Sequence, residues 1–376
     1  MPRPARLRER ASGAAREPAS RLLSLFAPRS PIRLERSTDG RPHHVPHART
    51  RARGASAGST TDTGSSVRPL GSGLAKARAV LGFQNGWRGC GSVGSGMAGS
   101  VHRDVTASGV RLRVAEAGDG PPVILIHGLF VDHTCWDLVM PELAESFHVI
   151  APDLPGFGAS EKPPPSRFPY GIDAFAEAIA DLYAGLELGP AAVVGHALGG
   201  AVALTLAARH PELVSKLVLM DALCYDSGTG RYGELALLPF VGGLVLKQLW
   251  GRGLFRRHFQ ETVFGPTSNV AAPRIDRYYA AFNAPDARSS ALATLRATVD
   301  TRGVVAQTTR IQAPTLVVWG RHDRVWPASF GQRLSREIRG SGFELLDSGH
   351  SPQEERPQEI VRIVQRFLLD ERRSRF

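Results

Sequence analysis

Cysteine is scarce in this chain: its 376 residues include only three, Cys90, Cys135 and Cys224. An odd number of scattered cysteines, without the spacing of metal ligands, excludes a regular disulfide framework and a cysteine-based metal site. This usage is typical of a reducing compartment, so the expected location is the cytoplasm. We predict no metal and no cofactor.

Long apolar runs are also missing. The longest uncharged stretch, residues 188–208, contains a proline, four glycines and His196, and its pattern fits a strand, a turn and a helix better than a membrane span. A second apolar run, residues 235–246, is too short to cross a bilayer. We therefore predict no transmembrane segment.

Acidic residues are rare in the first quarter of the chain. Residues 1–96 carry 17 Lys and Arg against 5 Asp and Glu, whereas residues 97–376 carry 29 against 30. The formal charge of +11 thus belongs to the first segment, and the remainder is nearly neutral. This distribution removes the main argument for nucleic-acid binding by the folded part.

Residues 1–96 have few large apolar residues and no sustained periodicity, so they cannot bury enough surface to offset the entropy of ordering. We predict a disordered basic extension. Three interpretations remain open: translation that starts at Met97, an Arg- and Ser-rich transit peptide to an organelle, and a basic tail that contacts nucleic acid or anionic lipid. A transit peptide would make the location organellar.

Beyond residue 97, short apolar runs alternate with segments of helical spacing. The predicted strands are residues 110–114, 122–126, 147–151, 191–194, 216–220, 315–319 and 343–346, and the clearest helices are 172–188, 201–208 and 357–369. Buried strands that alternate with helices predict a mostly parallel sheet with helices on both faces. Ligands bind such sheets beyond the carboxyl ends of the strands.

The most informative stretch is residues 195–200, Gly-His-Ala-Leu-Gly-Gly, which lies between a predicted strand and a predicted helix. Strand, glycine-flanked turn and helix form the layout of a nucleophile elbow, whose pattern is G-x-S-x-G. Ala197 stands where that pattern has its serine. A methyl group cannot attack a substrate, so the nucleophile position is degenerate.

Five motifs occur in one order along the chain: residues 127–130 (HGLF), 153–160 (DLPGFGAS), 195–200 (GHALGG), 319–323 (WGRHD) and 348–352 (SGHSP). Together they resemble the α/β-hydrolase superfamily, in the branch that carries a helical cap, over roughly residues 100–370. The resemblance implies an α/β-hydrolase core at 97–221 and 310–376. It also implies a helical cap at 222–309, inserted after the sixth strand.

The same resemblance implies a site. His350 corresponds to the general base and Asp323 to the acid that orients its imidazole, and their chain order after the elbow is that of the family. The backbone N–H groups of Leu129 and Leu198 correspond to the oxyanion hole. Asp221, after the preceding strand, is either a second candidate for the acid or a hinge residue where the cap begins, and we favour the hinge.

Two hypotheses follow from Ala197. In the first, the chain is a hydrolase or lyase-like enzyme in which His350 and Asp323 activate water or abstract a proton from a small, largely apolar carbonyl substrate. In the second, it is a non-catalytic pseudo-hydrolase that binds a small molecule. The elbow is similar to that of the aminoacrylate or carbamate hydrolase of pyrimidine breakdown, which is a precedent for alanine at this position, but the rest of the chain is not specially close to that protein. A pseudo-hydrolase has no need of an intact His–Asp pair, so the presence of both His350 and Asp323 favours the enzyme. An engineered Ser→Ala change is a third, disfavoured explanation, and the oligomeric state is not indicated.

Overall fold

The computed structural model describes residues 100–225, 239–244, 246, 248 and 250–370. The predicted disordered extension, Cys90 and residues 226–238 of the predicted cap lie outside these described residues.

A sheet of eight strands forms the centre of the described structure, in the order β1-β2-β4-β3-β5-β6-β7-β8. The strands are β1 Val101–Ala107, β2 Val110–Ala117, β3 Pro122–Ile126, β4 His148–Pro152, β5 Ala191–His196, β6 Val214–Met220, β7 Thr315–Gly320 and β8 Gly342–Leu346. Strand β2 is antiparallel to both β1 and β4, and the other neighbours are parallel. The predicted mostly parallel sheet is therefore confirmed.

Strand β1 was not predicted from the sequence. Only Val105 and Ala107 of its seven residues are buried, so it lacks the apolar alternation of a half-buried strand. The strand is held by hydrogen bonds to its partner, since every residue from Val101 to Ala107 pairs with β2. A two-residue turn, Ser108-Gly109, joins the two strands, and both of its residues have positive φ, which is the backbone of a tight hairpin turn.

The α-helices are α1 Met140–Leu143, α2 Ile172–Gly185, α3 Leu198–Arg209, α4 Pro239–Leu244, α5 Arg252–His258, α6 Ala272–Phe282, α7 Ala287–Ala297, α8 Arg302–Val305, α9 Ala328–Glu337, α10 Pro352–Glu355 and α11 Pro357–Leu369. The last of these has the predicted bounds. Helix α2 ends three residues before the predicted position, and Glu187 in the following turn has φ of 54°, which a helix cannot contain.

Both faces of the sheet are covered by apolar contacts. Along β3, Ile124 and Ile126 join the core on one face, whereas Val123 and Leu125 join the core on the other. This alternation follows from the two-residue period of a strand. Because β3 is buried on both faces, its sequence is a continuous apolar run, as is usual for parallel strands.

Helices α4 to α8 lie between β6 and β7; we call this segment, residues 222–314, the β6–β7 insertion. Its described part has an aromatic core in which Phe255 stacks on Phe259 and Phe282, with ring centroids 4.8 and 5.3 Å apart. Within the described residues, every helix is too short or too polar to cross a bilayer.

Candidate active site

Ala197 forms the turn between β5 and α3, with φ of 53° and ψ of −114°. Few residues other than glycine adopt such a backbone, which carries strain. The flanking glycines are required by close packing: a Cβ on Gly195 would lie 2.3 Å from the carbonyl oxygen of Gly199, and one on Gly199 would lie 2.2 Å from that of Ile126. The backbone thus has the strand–turn–helix form of an elbow with a methyl group at its apex.

The loop after β3 passes directly against this turn. A Cβ built on Gly128 would lie 3.0 Å from the Cβ of Ala197. The next residue, Leu129, and the first residue of α3, Leu198, each have a backbone N–H group that meets no acceptor in the described part of the chain. Both N–H groups are therefore without an acceptor among the described residues, and their role as an oxyanion hole stays a prediction.

His127 holds that loop in place. Its Nδ1–H donates to the carbonyl oxygen of Gly128 at 2.7 Å, and its Nε2 accepts the N–H of Leu154 at 2.9 Å. Complete burial lowers the pKa of His127, so the ring is neutral, as an accepting Nε2 requires. A histidine that looks catalytic in isolation is here a structural support for the loop.

His350 and Asp323 meet although they lie on separate loops after β8 and β7. Nδ1 of His350 donates to Oδ2 of Asp323 at 2.8 Å, and the two side chains are 7% and 0% exposed. Oδ1 of Asp323 accepts the backbone N–H groups of Val325 and Trp326 at 2.7 and 3.0 Å. With its Nδ1–H committed to the carboxylate, the neutral ring keeps a lone pair on Nε2, the atom that can accept a proton.

The β6–β7 insertion supports the His350 loop from one side. The N–H of His350 donates to the carbonyl oxygen of Val263 at 2.7 Å. The buried carboxylate of Glu355 accepts the N–H groups of Gly265 at 2.9 Å and Gly349 at 3.0 Å. The position of the imidazole therefore depends on the insertion as well as on the sheet.

Asp221 follows β6 and lies beside the same pair. One carboxylate oxygen of Asp221, one of Asp323 and a ring nitrogen of His350 all lie within 4.8 Å of one another. Its backbone has φ of 42°, and it directly precedes the β6–β7 insertion. Both interpretations of Asp221, a second acid and a hinge residue, stay predictions.

Sequence reasoning missed a second histidine–carboxylate pair. Nδ1 of His133 donates to Oδ1 of the fully buried Asp153 at 2.8 Å, and Asp153 also accepts the N–H of Ala159 at 2.7 Å. Nothing near His133 in the sequence indicates a partner, because Asp153 lies 20 residues further along the chain. Cys135, in the same region, is fully buried, and burial raises the pKa of its thiol well above the usual value, so it offers no thiolate.

Comparison with known proteins identifies the family of this chain. The family model for the alpha/beta hydrolase fold matches residues 121–357, and the chain belongs to that family. It is 31% identical over 284 residues to 2-hydroxymuconate semialdehyde hydrolase from Pseudomonas sp. (strain CF600), covering 72% of this chain and 94% of the relative. It is 30% identical over 282 residues to 2-hydroxy-6-oxo-2,4-heptadienoate hydrolase from Pseudomonas putida, covering 72% and 97%.

Among solved structures, a serine hydrolase involved in carbazole degradation superposes with a TM-score of 0.61 and 28% identity. The match covers 72% of this chain and 98% of that chain. These relatives are hydrolases, which supports the general class.

Proposed function

We propose that the chain is a hydrolase that acts without a serine nucleophile. His350 and Asp323 activate a water molecule, which attacks the carbonyl carbon of a small, largely apolar substrate. The N–H groups of Leu129 and Leu198 stabilise the oxyanion that forms. The observation that carries this proposal is the 2.8 Å hydrogen bond from Nδ1 of His350 to Asp323, because it leaves a basic Nε2 beside the elbow.

Each group has a defined role in the proposed step. Nε2 of His350 takes a proton from water as the water oxygen bonds to the carbonyl carbon, and Asp323 stabilises the resulting imidazolium. The electron pair of the carbonyl moves to oxygen, where the two backbone donors bind it. Backbone donors do not depend on the side chain at position 197, so Ala197 leaves this part of the site unaffected.

The missing serine sets the expected rate. Removal of the serine from a working triad costs about 10⁶ in kcat, and about 10³–10⁴ over the uncatalysed reaction survives. A single oxyanion donor is worth about 2.7–4 kcal/mol. We therefore expect slow turnover without a covalent acyl-enzyme, best on substrates whose leaving group departs easily.

Aromatic rings near the oxyanion loop support an apolar carbonyl substrate. Phe130 of that loop lies edge-on to Trp250 and Phe282 of the β6–β7 insertion, with ring centroids 5.1 and 5.7 Å apart. The two named relatives act, by their names, on an unsaturated semialdehyde and an oxo-dienoate. As part of the proposal, the substrate class for this chain is activated carbonyl compounds: small esters, carbamates and β-dicarbonyls.

The test compares unaltered protein with His350→Ala on a panel of those three substrate classes between about pH 6 and 9, a range that spans the ordinary histidine pKa. Turnover should be lost in His350→Ala and fall strongly, by about 10²–10⁴-fold, in Asp323→Asn. His322→Ala is the matched control, because His322 is a partly exposed histidine that pairs with Asp347. Intact-protein mass spectra should show no acyl adduct.

The second candidate is a non-catalytic binding module, and the methyl group at Ala197 is the observation that favours it. A binding module predicts equal rates for unaltered protein and His350→Ala across the panel. It also predicts ligand binding that is indifferent to Asp323→Asn. Either result would replace the hydrolase proposal.

We also propose a cytoplasmic location. The free, buried thiols of Cys135 and Cys224 support it.

A further inference from the structure

Asp221 is an acidic residue that the proposed reaction does not use, and it is completely buried. Its backbone lies in the left-handed region, with φ of 42°, which aspartate and asparagine tolerate better than other residues with a side chain. Oδ1 accepts the backbone N–H of Gly320 at 2.8 Å. One oxygen of this carboxyl is therefore satisfied.

The other oxygen, Oδ2, is buried without a donor among the described residues. One oxygen of the Asp221 carboxyl lies within 4.8 Å of one oxygen of Asp323, in the group of three side chains that includes His350. Two ionised carboxylates at this distance would repel each other and leave Oδ2 unsatisfied, which is costly in a buried site. Both problems disappear when one of the two acids carries a proton.

We infer that Asp221 is protonated and donates its Oδ2–H to the carboxylate of Asp323, so that it acts as a positioning residue for that acid. The proton belongs to Asp221 because the charged form of Asp323 is already stabilised by N–H groups of Val325, Trp326 and His350. Hydrogen bonds of this kind favour the ionised form. Asp221 accepts only one.

The charges around Asp221 act in the same direction. Burial raises the pKa of Asp221 well above its usual value, and the negative charge of Asp323 raises it further. Glu355 adds a smaller contribution of the same sign, and the hydrogen bond from the N–H of Gly320 opposes them. The pair therefore carries one negative charge rather than two, and the carboxylate that faces His350 is held by a fourth hydrogen bond.

Infrared difference spectra test directly whether the Asp221 carboxyl carries a proton. At about pH 7.5, where an ordinary aspartate is ionised, unaltered protein minus Asp221→Asn should show the carbonyl band of a neutral carboxylic acid. The matched control is Asp347→Asn, whose carboxyl is 62% exposed and should contribute only carboxylate bands. Carboxylate bands in the Asp221→Asn difference would overturn the inference. Should Asp221→Asn fail to fold, Asp221→Ser removes the same carbonyl and gives the same comparison.

A titration of the His350 ring, followed by NMR on protein with isotope-labelled histidine, supplies a second readout. Asn at position 221 keeps an N–H donor toward Asp323 and removes no charge if Asp221 is neutral, so the titration midpoint of His350 should stay unchanged. Removal of an ionised carboxylate within 4.8 Å would lower that midpoint by about one to two pH units, and this result would also overturn the inference.

The inference rests on the proposed function in one respect only: the hydrolase proposal is the reason why the position of Asp323 matters. Neither the infrared spectrum nor the titration depends on turnover. If the panel of substrates shows no activity, the protonation of Asp221 is still tested on its own.

Discussion

Nε2 of His196 donates a hydrogen bond to the backbone carbonyl oxygen of His350, 2.6 Å away. His196 precedes the apex of the elbow, so this bond ties the elbow to the loop that carries the predicted base. Burial, followed by the nearby His350, lowers the pKa of His196 to about 3, so the ring stays neutral and the bond does not change near neutral pH. The arrangement of elbow and base therefore does not depend on a serine at position 197.

From this arrangement we expect Ala197→Ser to create a working nucleophile. The hydroxyl would extend from an elbow whose backbone already has φ of 53°, beside two backbone donors and the His350–Asp323 pair. Ala197→Ser should react with a fluorophosphonate probe and hydrolyse p-nitrophenyl esters, whereas unaltered protein should do neither rapidly. Gel-based labelling and release of p-nitrophenol measure the two effects.

The double variant Ala197→Ser with His350→Ala is the control and should remain unlabelled, because the hydroxyl then lacks its base. Rapid labelling of the unaltered protein would contradict the prediction and indicate a different nucleophile. A silent Ala197→Ser variant would show that the site geometry differs from that of a serine hydrolase.

Because of the pair of His133 and Asp153, the free energy of unfolding should decrease as the pH becomes alkaline. Burial lowers the pKa of His133, but the hydrogen bond and the charge of Asp153 outweigh it and raise this pKa from 6.5 to about 9. A histidine whose pKa is raised by folding contributes stability fully below about pH 6.5. That contribution is lost as the pH rises through about 9.

Urea unfolding of unaltered protein between pH 6 and about 9.5 should therefore show a falling free energy of unfolding, and His133→Ala should make the curve flatter over that range. His322→Ala, which removes a more exposed histidine, should keep the slope. Equal slopes for His133→Ala and unaltered protein would refute the prediction.

Close packing at the elbow predicts that Gly199→Ala is strongly destabilising. A Cβ at position 199 would lie 2.2 Å from the carbonyl oxygen of Ile126, so β3 and α3 would have to separate. Overpacking of this kind costs about 1–3 kcal/mol or more. Gly253→Ala in α5 is the matched control: its Cβ meets no atom within 4 Å, and alanine favours a helix. Thermal unfolding midpoints should fall for the first variant and stay level or rise for the second.

The composition of residues 1–96 predicts that they do not contribute to the stability of the folded part. A chain that begins at Met97 should unfold at the same temperature as the full-length chain, measured by calorimetry or circular dichroism. A decrease of several degrees would contradict this prediction and assign part of the core to the first segment.

The sequence alone predicted a mostly parallel sheet and the location of the elbow, whereas the edge strand β1 and the strand order were not predicted. Apolar runs such as Pro122–Ile126 and glycines such as Gly195 and Gly199 express local requirements: burial on both faces of a strand and close approach of a strand to a helix. Such requirements can be detected in a short window, because the residues that meet them are neighbours in the chain. The pairing of His350 with Asp323 was anticipated only through resemblance to a family, and its catalytic role remains a proposal.

Only the tertiary structure decided which polar groups meet across the chain. His133 has a partner because two separate loops place Asp153 beside it. Asp221 and Asp323 lie within 4.8 Å of each other because β6 and β7 end side by side, an adjacency that no local pattern encodes. The proton inferred on Asp221 follows from that proximity, because a buried carboxyl beside a carboxylate must be neutral to donate a hydrogen bond.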